Sequence, residues 1–339
     1  MKVFITAAFG HQGKVLIPKL AAAGIDVRAA RATVGRDEEV LRLGAKEVFV
    51  GDLSDSKVYA QACDGCDAIY HIGPGAHPRE LAMGYAMVEA AKTVGIRHVV
   101  PLSLLQPFID IIQHRYKLDH ELALVKSGLN FTALRPCDYM LQEAYIAPAM
   151  RTGAMPFYSG DAAGSRAHRR HSYIALDDLT DVALKVLVEG STHYAANYEL
   201  AGPDKITPIV MAQILSRIMG REIKPVAKSP EDLIDALWGS RDPNEDFTHK
   251  ADIVRSIQAW YARYDFVGNS RTLEWLLGRR PTTFEEFATK AYADLSAGEG
   301  TKIERAFLAH SKLAERSDAR LAASSETVIG GMENAGVAG

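Results

Sequence analysis

The chain has 339 residues, 47% of them hydrophobic and 24% charged, with a formal net charge of −3. This is enough chain for a large buried core, as one large domain with an appendage or two closely joined domains, and the near-neutral charge excludes a general attraction to nucleic acid or anionic membrane. No apolar run approaches the ~20 residues of a membrane span, the first strand begins at residue 2 with no room for a signal or transit peptide, and the sparse, odd set Cys63, Cys66 and Cys137 is no disulfide framework; the cytosol is the expected compartment.

Met1 to Thr6 reads as a short buried strand that runs into a glycine-spaced turn, Ala7-Ala8-Phe9-Gly10-His11-Gln12-Gly13, and Lys14 to Leu20 begins an amphipathic helix. Asp26 to Arg31 then reads as strand, Asp37 to Leu43 as helix, Glu47 to Asp52 as strand, and Asp67 to Ile72 as a fourth strand. Glu80 to Val94 is a predicted helix, Arg97 to Leu102 a fifth strand, Ile111 to Lys126 a helix, and Asn130 to Arg135 a sixth strand. Alternating strands and helices with short connections predict an α/β fold with a doubly wound parallel sheet. Beyond Pro136 the pattern loosens into a Gly-, Ala- and Arg-rich loop from Ser159 to His171, followed by a helix opened by Asp177-Asp178-Leu179 and a late strand at Tyr198 to Leu200. From Pro208 to about Ala293 the chain reads as mostly helical, Thr301 to Leu321 as one more helix, and Ala322 to Gly339 as a disordered tail. The domain reading is a dinucleotide-binding core over 1–158 with later core elements around 172–202, a smaller helical substrate lobe over 203–296, and a C-terminal helix and tail over 297–339.

The turn carries the first functional signal. Gly10 and Gly13 let backbone approach a pyrophosphate closely, and the helix beginning near Gly13 aims free N–H groups at the phosphates; the position of the usual first glycine is held by Ala7. A purely structural bend is the alternative. At the end of the second strand a ribose-binding site for NAD places an acid, whereas the 2′-phosphate of NADP needs an arginine, and here the strand ends in Arg31, with Arg36 close behind it. A solvated surface arginine is the competing reading. Asp52 is expected near the adenine with Leu53 as a packing wall, unless Asp52 caps the helix that begins at Asp55.

The turn residues Gly10-His11-Gln12-Gly13, the strand end Val27 to Arg31, and Gly51-Asp52-Leu53 resemble the NmrA-like family. So do His114-Arg115-Tyr116-Lys117 through Glu121, Ser127 to Pro136, and Leu277-Gly-Arg-Arg-Pro through Phe287, so that the similarity covers about residues 2 to 290 and leaves out the tail. The resemblance implies an atypical short-chain dehydrogenase with a Rossmann core and NADP(H) as cofactor, in a family divided between reductases and redox-sensing regulators. The cofactor-binding residues it suggests are Thr6, Ala8, Phe9, Gly10, His11, Gln12, Gly13, Arg31, Arg36, Asp52, Leu53, Gly73, Pro74 and Lys117, with no metal.

Short-chain dehydrogenases place a Tyr four residues before a Lys on one helix and a Ser at the preceding strand end. Ser103 and Lys117 fill two of these positions, but the residue four before Lys117 is Gln113, which has no phenolic proton to give. Lys117 is expected to bond the nicotinamide ribose, or else to pair with Glu121 one turn on. His114, three residues before Lys117, is a candidate acid or else a partly buried helix histidine, and Tyr139, near the C-terminal sheet edge, is a candidate for substrate contact. Tyr116 points elsewhere on the helix and reads as packing. Cys63 and Cys66 have redox spacing but lie at a helix C-terminus with no second ligand pair, so neither metal nor redox chemistry is expected of them. Arg166, His168, Arg169, Arg170 and His171 read as a solvated loop rather than a site for an acidic substrate, and Trp260, Tyr261, Tyr264 and Phe266 as a packing stripe. The functional expectation is an NADP(H)-dependent reductase acting on a small aromatic or conjugated carbonyl, enone or imine. Its alternatives are a non-catalytic NADPH/NADP⁺ sensor working through a protein partner, or lyase or isomerase chemistry on a structural cofactor.

Overall fold

The computed structural model describes residues 1–31, 37–238 and 247–297. Arg36 and the helix expected from Thr301 lie outside the described residues. Five strands, β1 (Lys2–Ile5), β2 (Asp26–Arg31), β3 (Glu47–Val50), β4 (Ala68–His71) and β5 (His98–Pro101), form a parallel sheet in the order β3-β2-β1-β4-β5. Parallel bridges from Val99 to Phe131 and from Leu102 to Leu134 carry the sheet on to β6 (Thr132–Pro136). A later strand, Ala196–Leu200, pairs parallel to β6.

Strand alternation explains the two faces. Val3, Ile5, Val27, Ala29 and Tyr70 belong to one core with Leu16, Ile17 and Leu20 of α1 (His11–Ala22) and with Leu179, Val182 and Val186 of a helix spanning Leu176–Glu189. Phe4, Ala30, Ile69 and Val99 point the other way, into a core with Tyr59 of α3 (Ser56–Cys63), Met87 and Ala91 of α4 (Glu80–Val94), and Leu124 of α5 (Ile112–Ser127). The intervening α2 covers Asp37–Arg42. Strands buried on both faces carry near-continuous apolar runs, as β1, β4 and β5 do, which makes them legible in sequence; β2 and β3, on the outer side of β1, are less buried.

The chain winds outward from β1 to β3, then crosses back to β4, so the strand order reverses between β1 and β4. A doubly wound sheet opens a crevice at that point, beyond the carboxyl ends of the strands. There Thr6 closes the gap: its Oγ1 donates to the Ile72 carbonyl at 2.8 Å and accepts from the Ile72 N–H at 2.7 Å.

After β6 the chain leaves the sheet. The short β7 (Asp138–Tyr139) leads to α6 (Gln142–Thr152) and β8 (Ala154–Tyr158), a 3-10 turn spans Ser165–His168, and β9 (His171–Ile174) returns to pair in parallel with β7. The helix Leu176–Glu189 is α7, the strand Ala196–Leu200 is β10, and β11 (Lys205–Ile206) pairs antiparallel with β9. Then follow α8 (Pro208–Met219), β12 (Lys224–Lys228), α9 (Pro230–Trp238), α10 (Thr248–Arg263), α11 (Arg271–Leu277) and α12 (Phe284–Ser296). Because β8 pairs with β12, and α6 shares a core with α8 and α12 through Ile146, Met211, Leu215, Phe284 and Ala288, residues 142–158 pack with the second part of the chain rather than with the sheet. The short strands β7, β8, β11 and β12 have no counterpart in the sequence reading; pieces of two to five residues give too few positions for an alternation to register.

Candidate functional site

The glycine turn folds tightly after β1. Ala7 takes φ +49°, the left-handed conformation that glycine adopts freely, and its carbonyl accepts from the Gly10 N–H at 2.8 Å. Gly13 lies against the backbone of Ala8, where an added Cβ would fall 2.3 Å from the Ala8 carbonyl oxygen. The first turn of α1 therefore sits as close to the strand end as only glycine permits, which is the local geometry a pyrophosphate cradle needs.

Two side chains tie this turn to the second part of the chain. Gln12 is buried in a three-membered network: the Tyr70 hydroxyl donates to Gln12 Oε1 at 2.6 Å, and Gln12 Nε2 donates to the Tyr139 hydroxyl at 2.6 Å. The polarity matters. A carbonyl oxygen only accepts, so the Tyr70 proton is committed, whereas Tyr139 receives and keeps its own proton, which has no acceptor among the described residues. Burial raises the Tyr139 hydroxyl above its ordinary pKa, with the Gln12 hydrogen bond working the other way, so it holds that proton at neutral pH. His11 Nε2 meets Glu143 Oε1 at 2.8 Å. Burial works against the Glu143 carboxylate, but the His11 hydrogen bond and the local backbone hold it below its usual value.

Arg31, at the end of β2, holds its guanidinium 5.8 Å from the centre of the Phe9 ring and donates to Asp37 Oδ1 at 2.9 Å. It is thus beside the glycine turn, not a solvated side chain. Asp52 does not cap α3; that role belongs to Asp55, which accepts from the Lys57 and Val58 N–H groups. Asp52 instead accepts from Ser54 and pairs with Arg79, contacts that outweigh burial and lower its pKa. Leu53 packs against the core on the α3 and α4 side.

Ser103 and Lys117 hold two of the three short-chain dehydrogenase positions, but they are differently wired. Lys117 is buried, and its partner is not Glu121: Lys117 Nζ stands 2.7 Å from Glu80 Oε1, while Glu121 is held by the Arg135 guanidinium. An added Cβ on Gly73 would fall 2.8 Å from Lys117 Nζ and 3.0 Å from Glu80 Oε1, so the pair lies directly under the Gly73-Pro74 segment. His120, one turn beyond Lys117, and His71, at the end of β4, stand edge to face at 6.3 Å beside it. Burial, with the charge of Lys117 adding to it, lowers His120 to about 4 and keeps His71 well below its ordinary value. Ser103 is buried with no hydrogen-bond partner for its hydroxyl among the described residues. His114 does not face Lys117: it is buried edge-on to Phe266, its Nδ1 lies 2.9 Å from the Gln106 carbonyl, and burial lowers its pKa. It suits packing better than acid catalysis.

The basic segment is a correction of another kind. Arg166 and His171 are buried, not solvated, at 6% and 0% exposure. His171 Nδ1 lies 3.3 Å from Asp138 Oδ2, the Tyr261 hydroxyl donates to Asp138 Oδ1 at 3.2 Å, and Arg166 donates to the Tyr173 hydroxyl at 3.1 Å while stacking on Tyr261. Burial, with the Arg166 charge, lowers His171 to about 4. Burial opposes the Asp138 charge, but the His171 hydrogen bond and the charges around it, Arg166 included, keep its carboxyl below the usual range. Asp138 was missed in sequence because a lone acid after a proline carries no pattern. The stripe at the end of α10 and just beyond it divides likewise: Tyr261 and Phe266 are core, but Tyr264 is 53% exposed. Cys63 and Cys66 are buried free thiols, and burial pushes Cys63 up to about 12.

A parallel sheet that reverses at β1 and β4, with a glycine turn and helix N-terminus at the reversal, defines a dinucleotide-binding protein of the Rossmann class. The chain belongs to the NmrA-like family, whose model matches residues 1–288. It is similar to an NAD(P)H azoreductase of Xenophilus azovorans, 25% identical over 296 residues that cover 86% of this chain and 98% of the relative. Among solved structures it resembles an NADPH-dependent quinone oxidoreductase of Escherichia coli in complex with NADPH, at TM-score 0.67 and 22% identity, covering 86% of this chain and 99% of that one. It also resembles NmrA, a negative transcriptional regulator, at TM-score 0.67 and 16% identity, covering 88% of this chain and 98% of that one.

Proposed function

We propose that the chain is an NADP(H)-dependent reductase of a small aromatic or conjugated acceptor. The observation that carries this reading is the Gln12 bridge: one amide in the glycine turn holds the hydroxyl of Tyr139 with its proton free. The azoreductase and quinone oxidoreductase likenesses support the class of activity.

The residues fit the cofactor. The Gly13 and Ala8 contact leaves open backbone for a pyrophosphate, α1 turns its N-terminus toward it, and Arg31 offers the planar fork that a 2′-phosphate takes, in exchange for its bond to Asp37. When bound, NADPH supplies the hydride. Tyr139 then serves as the proton source for the acceptor heteroatom, in place of the tyrosine that Gln113 replaces, and Gln12 orients it. Lys117, its charge balanced by Glu80, props the Gly73-Pro74 segment from beneath and keeps ammonium N–H donors at that place.

The test is a fluorescence titration with NADPH and NADH of the wild-type chain and of Arg31→Ala. Tight NADPH binding that weakens at least about ten-fold in the variant, with NADH little changed, is the expected result, since one phosphate contact of this kind is worth about that factor. Absence of binding to either nucleotide would defeat the proposal. Substrate-dependent NADPH consumption then separates a reductase from a sensor that binds without turnover.

A further inference from the structure

The group at the edge of the second part of the chain that the reading above leaves unused is Asp138. It follows the sheet strand β6 and immediately precedes Tyr139, whose hydroxyl meets the glycine turn. Protein surrounds it: Tyr261 from α10, His171 from β9, and Arg166 beyond them. Yet 31% of its side-chain surface stays accessible. The carboxylate is thus backed by protein on one side and open to solvent on another.

The contacts it makes do not exhaust it. A carboxylate has about four lone-pair positions, and only two donors approach, at 3.3 Å and 3.2 Å, both at the long end for bonds to a charged acceptor. No Lys or Arg side chain among the described residues lies within ion-pair distance of it; the Arg166 guanidinium is turned to Tyr173, and its Nη1 is buried without a hydrogen-bond partner. His171, fully buried, gives one ring nitrogen to Asp138, and its Nε2 is likewise unpartnered. An accessible carboxylate with lone pairs left open is the sort of placed polar group that fixes a ligand's orientation. Arg166, bonded to Tyr173 and not within ion-pair distance, offsets only part of the charge from behind, while the accessible side of the carboxylate keeps acceptors open. The neighbouring Tyr261 supplies an aromatic wall.

We propose that Asp138 anchors the substrate: its carboxylate takes an N–H of a positively charged nitrogen on an aromatic substrate, with His171 and Tyr261 holding it in place and Arg166 behind. This rests on the reductase reading for the identity of the site but is tested apart from it. A cationic nitrogen satisfies both the open lone pairs and the outward charge; a neutral hydroxyl satisfies only the first, and an anion is repelled.

The experiment is calorimetric titration of the full chain, without added nucleotide, with three probes of one shape: 1-naphthylmethylammonium, 1-naphthylmethanol and 1-naphthoate. The ammonium is expected to bind at least about ten-fold tighter than either of the others, the size of one charge-assisted hydrogen bond. In Asp138→Asn that preference falls to within about two-fold. Equal binding of ammonium and alcohol, tightest binding of the naphthoate (which would give the site to Arg166), or a preference that survives Asp138→Asn overturns the proposal. Should Asp138→Asn fail to fold, the wild-type ranking of the three probes still decides. NADPH binding is measured separately. Its failure with the ammonium preference intact counts against the reductase reading alone, and the reverse result counts against this proposal alone.

Discussion

Lys117 Nζ and Glu80 Oε1 stand 2.7 Å apart in the interior, on two adjacent helices, with both side chains almost wholly withdrawn from solvent. Neither Glu80 carboxylate oxygen has a hydrogen-bond partner among the described residues, so the ion pair with Lys117 is what answers its charge. Such a pair holds only because each charge answers the other. Glu80→Gln strands the Lys117 ammonium in a low-dielectric site and is expected to cost about 3–5 kcal/mol of unfolding free energy. Lys117→Met in the Glu80→Gln background should recover most of that loss. Urea denaturation of the two variants checks it, and two independent losses that simply add would refute the pairing.

Gly13 and Gly73 both sit in cramped places but against different neighbours. At Gly13 the obstacle is the Ala8 backbone, which cannot move without opening the turn, so Gly13→Ala should abolish NADPH binding and lower the melting temperature. At Gly73 the obstacles are the ends of the Lys117 and Glu80 side chains, which can shift by a few tenths of an ångström. Gly73→Ala is therefore expected to weaken NADPH binding by about ten-fold or less while leaving a folded protein. Fluorescence titration and a melt of each variant give the comparison, and equal effects would show that the Gly13 contact is not what shapes the turn.

Tyr139→Phe removes the free hydroxyl proton and leaves the ring in place. The expectation is a fall in turnover of about 10²–10⁴-fold with NADPH affinity changed less than about three-fold, the pattern of a lost proton donor. Gln12→Leu deletes the bridge from the glycine turn and should depress both turnover and NADPH affinity, because it acts on both partners. Tyr70→Phe, which removes only the donor on the far side, allows the amide to turn and should fall between the two. A Tyr139→Phe enzyme with unaltered kcat would assign the proton elsewhere.

Buried histidines that stay neutral in the fold set the acid limit of stability, with His71 and His114 also held below their ordinary value by burial. Burial lowers His98, His120 and His171 to about 4 in the folded chain, against an ordinary value near 6.5. Between those values the unfolded chain binds protons that the folded one refuses, so stability is full above about pH 6.5 and declines as the pH falls toward 4, by up to about 1.4 kcal/mol per pH unit for each histidine. The urea midpoint should drop steeply from pH 7 to pH 5. Replacing His98, which lies with Thr132 and Tyr194 at the other end of β5 from the glycine turn, by Gln should make that decline shallower by one histidine's share of the protons taken up, about a fifth. A flat profile would mean that these rings are protonated in the fold.

The sequence by itself determined the sheet, the glycine turn and the family. Strands β1, β4, β5 and β6 are almost wholly buried, so their runs are short and largely apolar, and the turn announces itself because Gly10 and Gly13 must lie close to backbone. Those are local demands, and local demands leave local patterns. Which charged group meets which was decided only in three dimensions. Glu121 is one helical turn from Lys117, the spacing that pairs side chains along a helix, yet Arg135 from β6 claims Glu121 and Glu80 from α4 claims Lys117. Arg166 and His171 stand in a segment whose composition suits solvent, and they are buried because β9 threads between β7 and β11 and brings Asp138, Tyr173 and Tyr261 around them. Gln12 meets Tyr139 across 127 residues of chain. Pairings over such distances are set by the winding of the sheet and by the cost of leaving a buried polar group alone, and neither is written in the spacing of nearby residues.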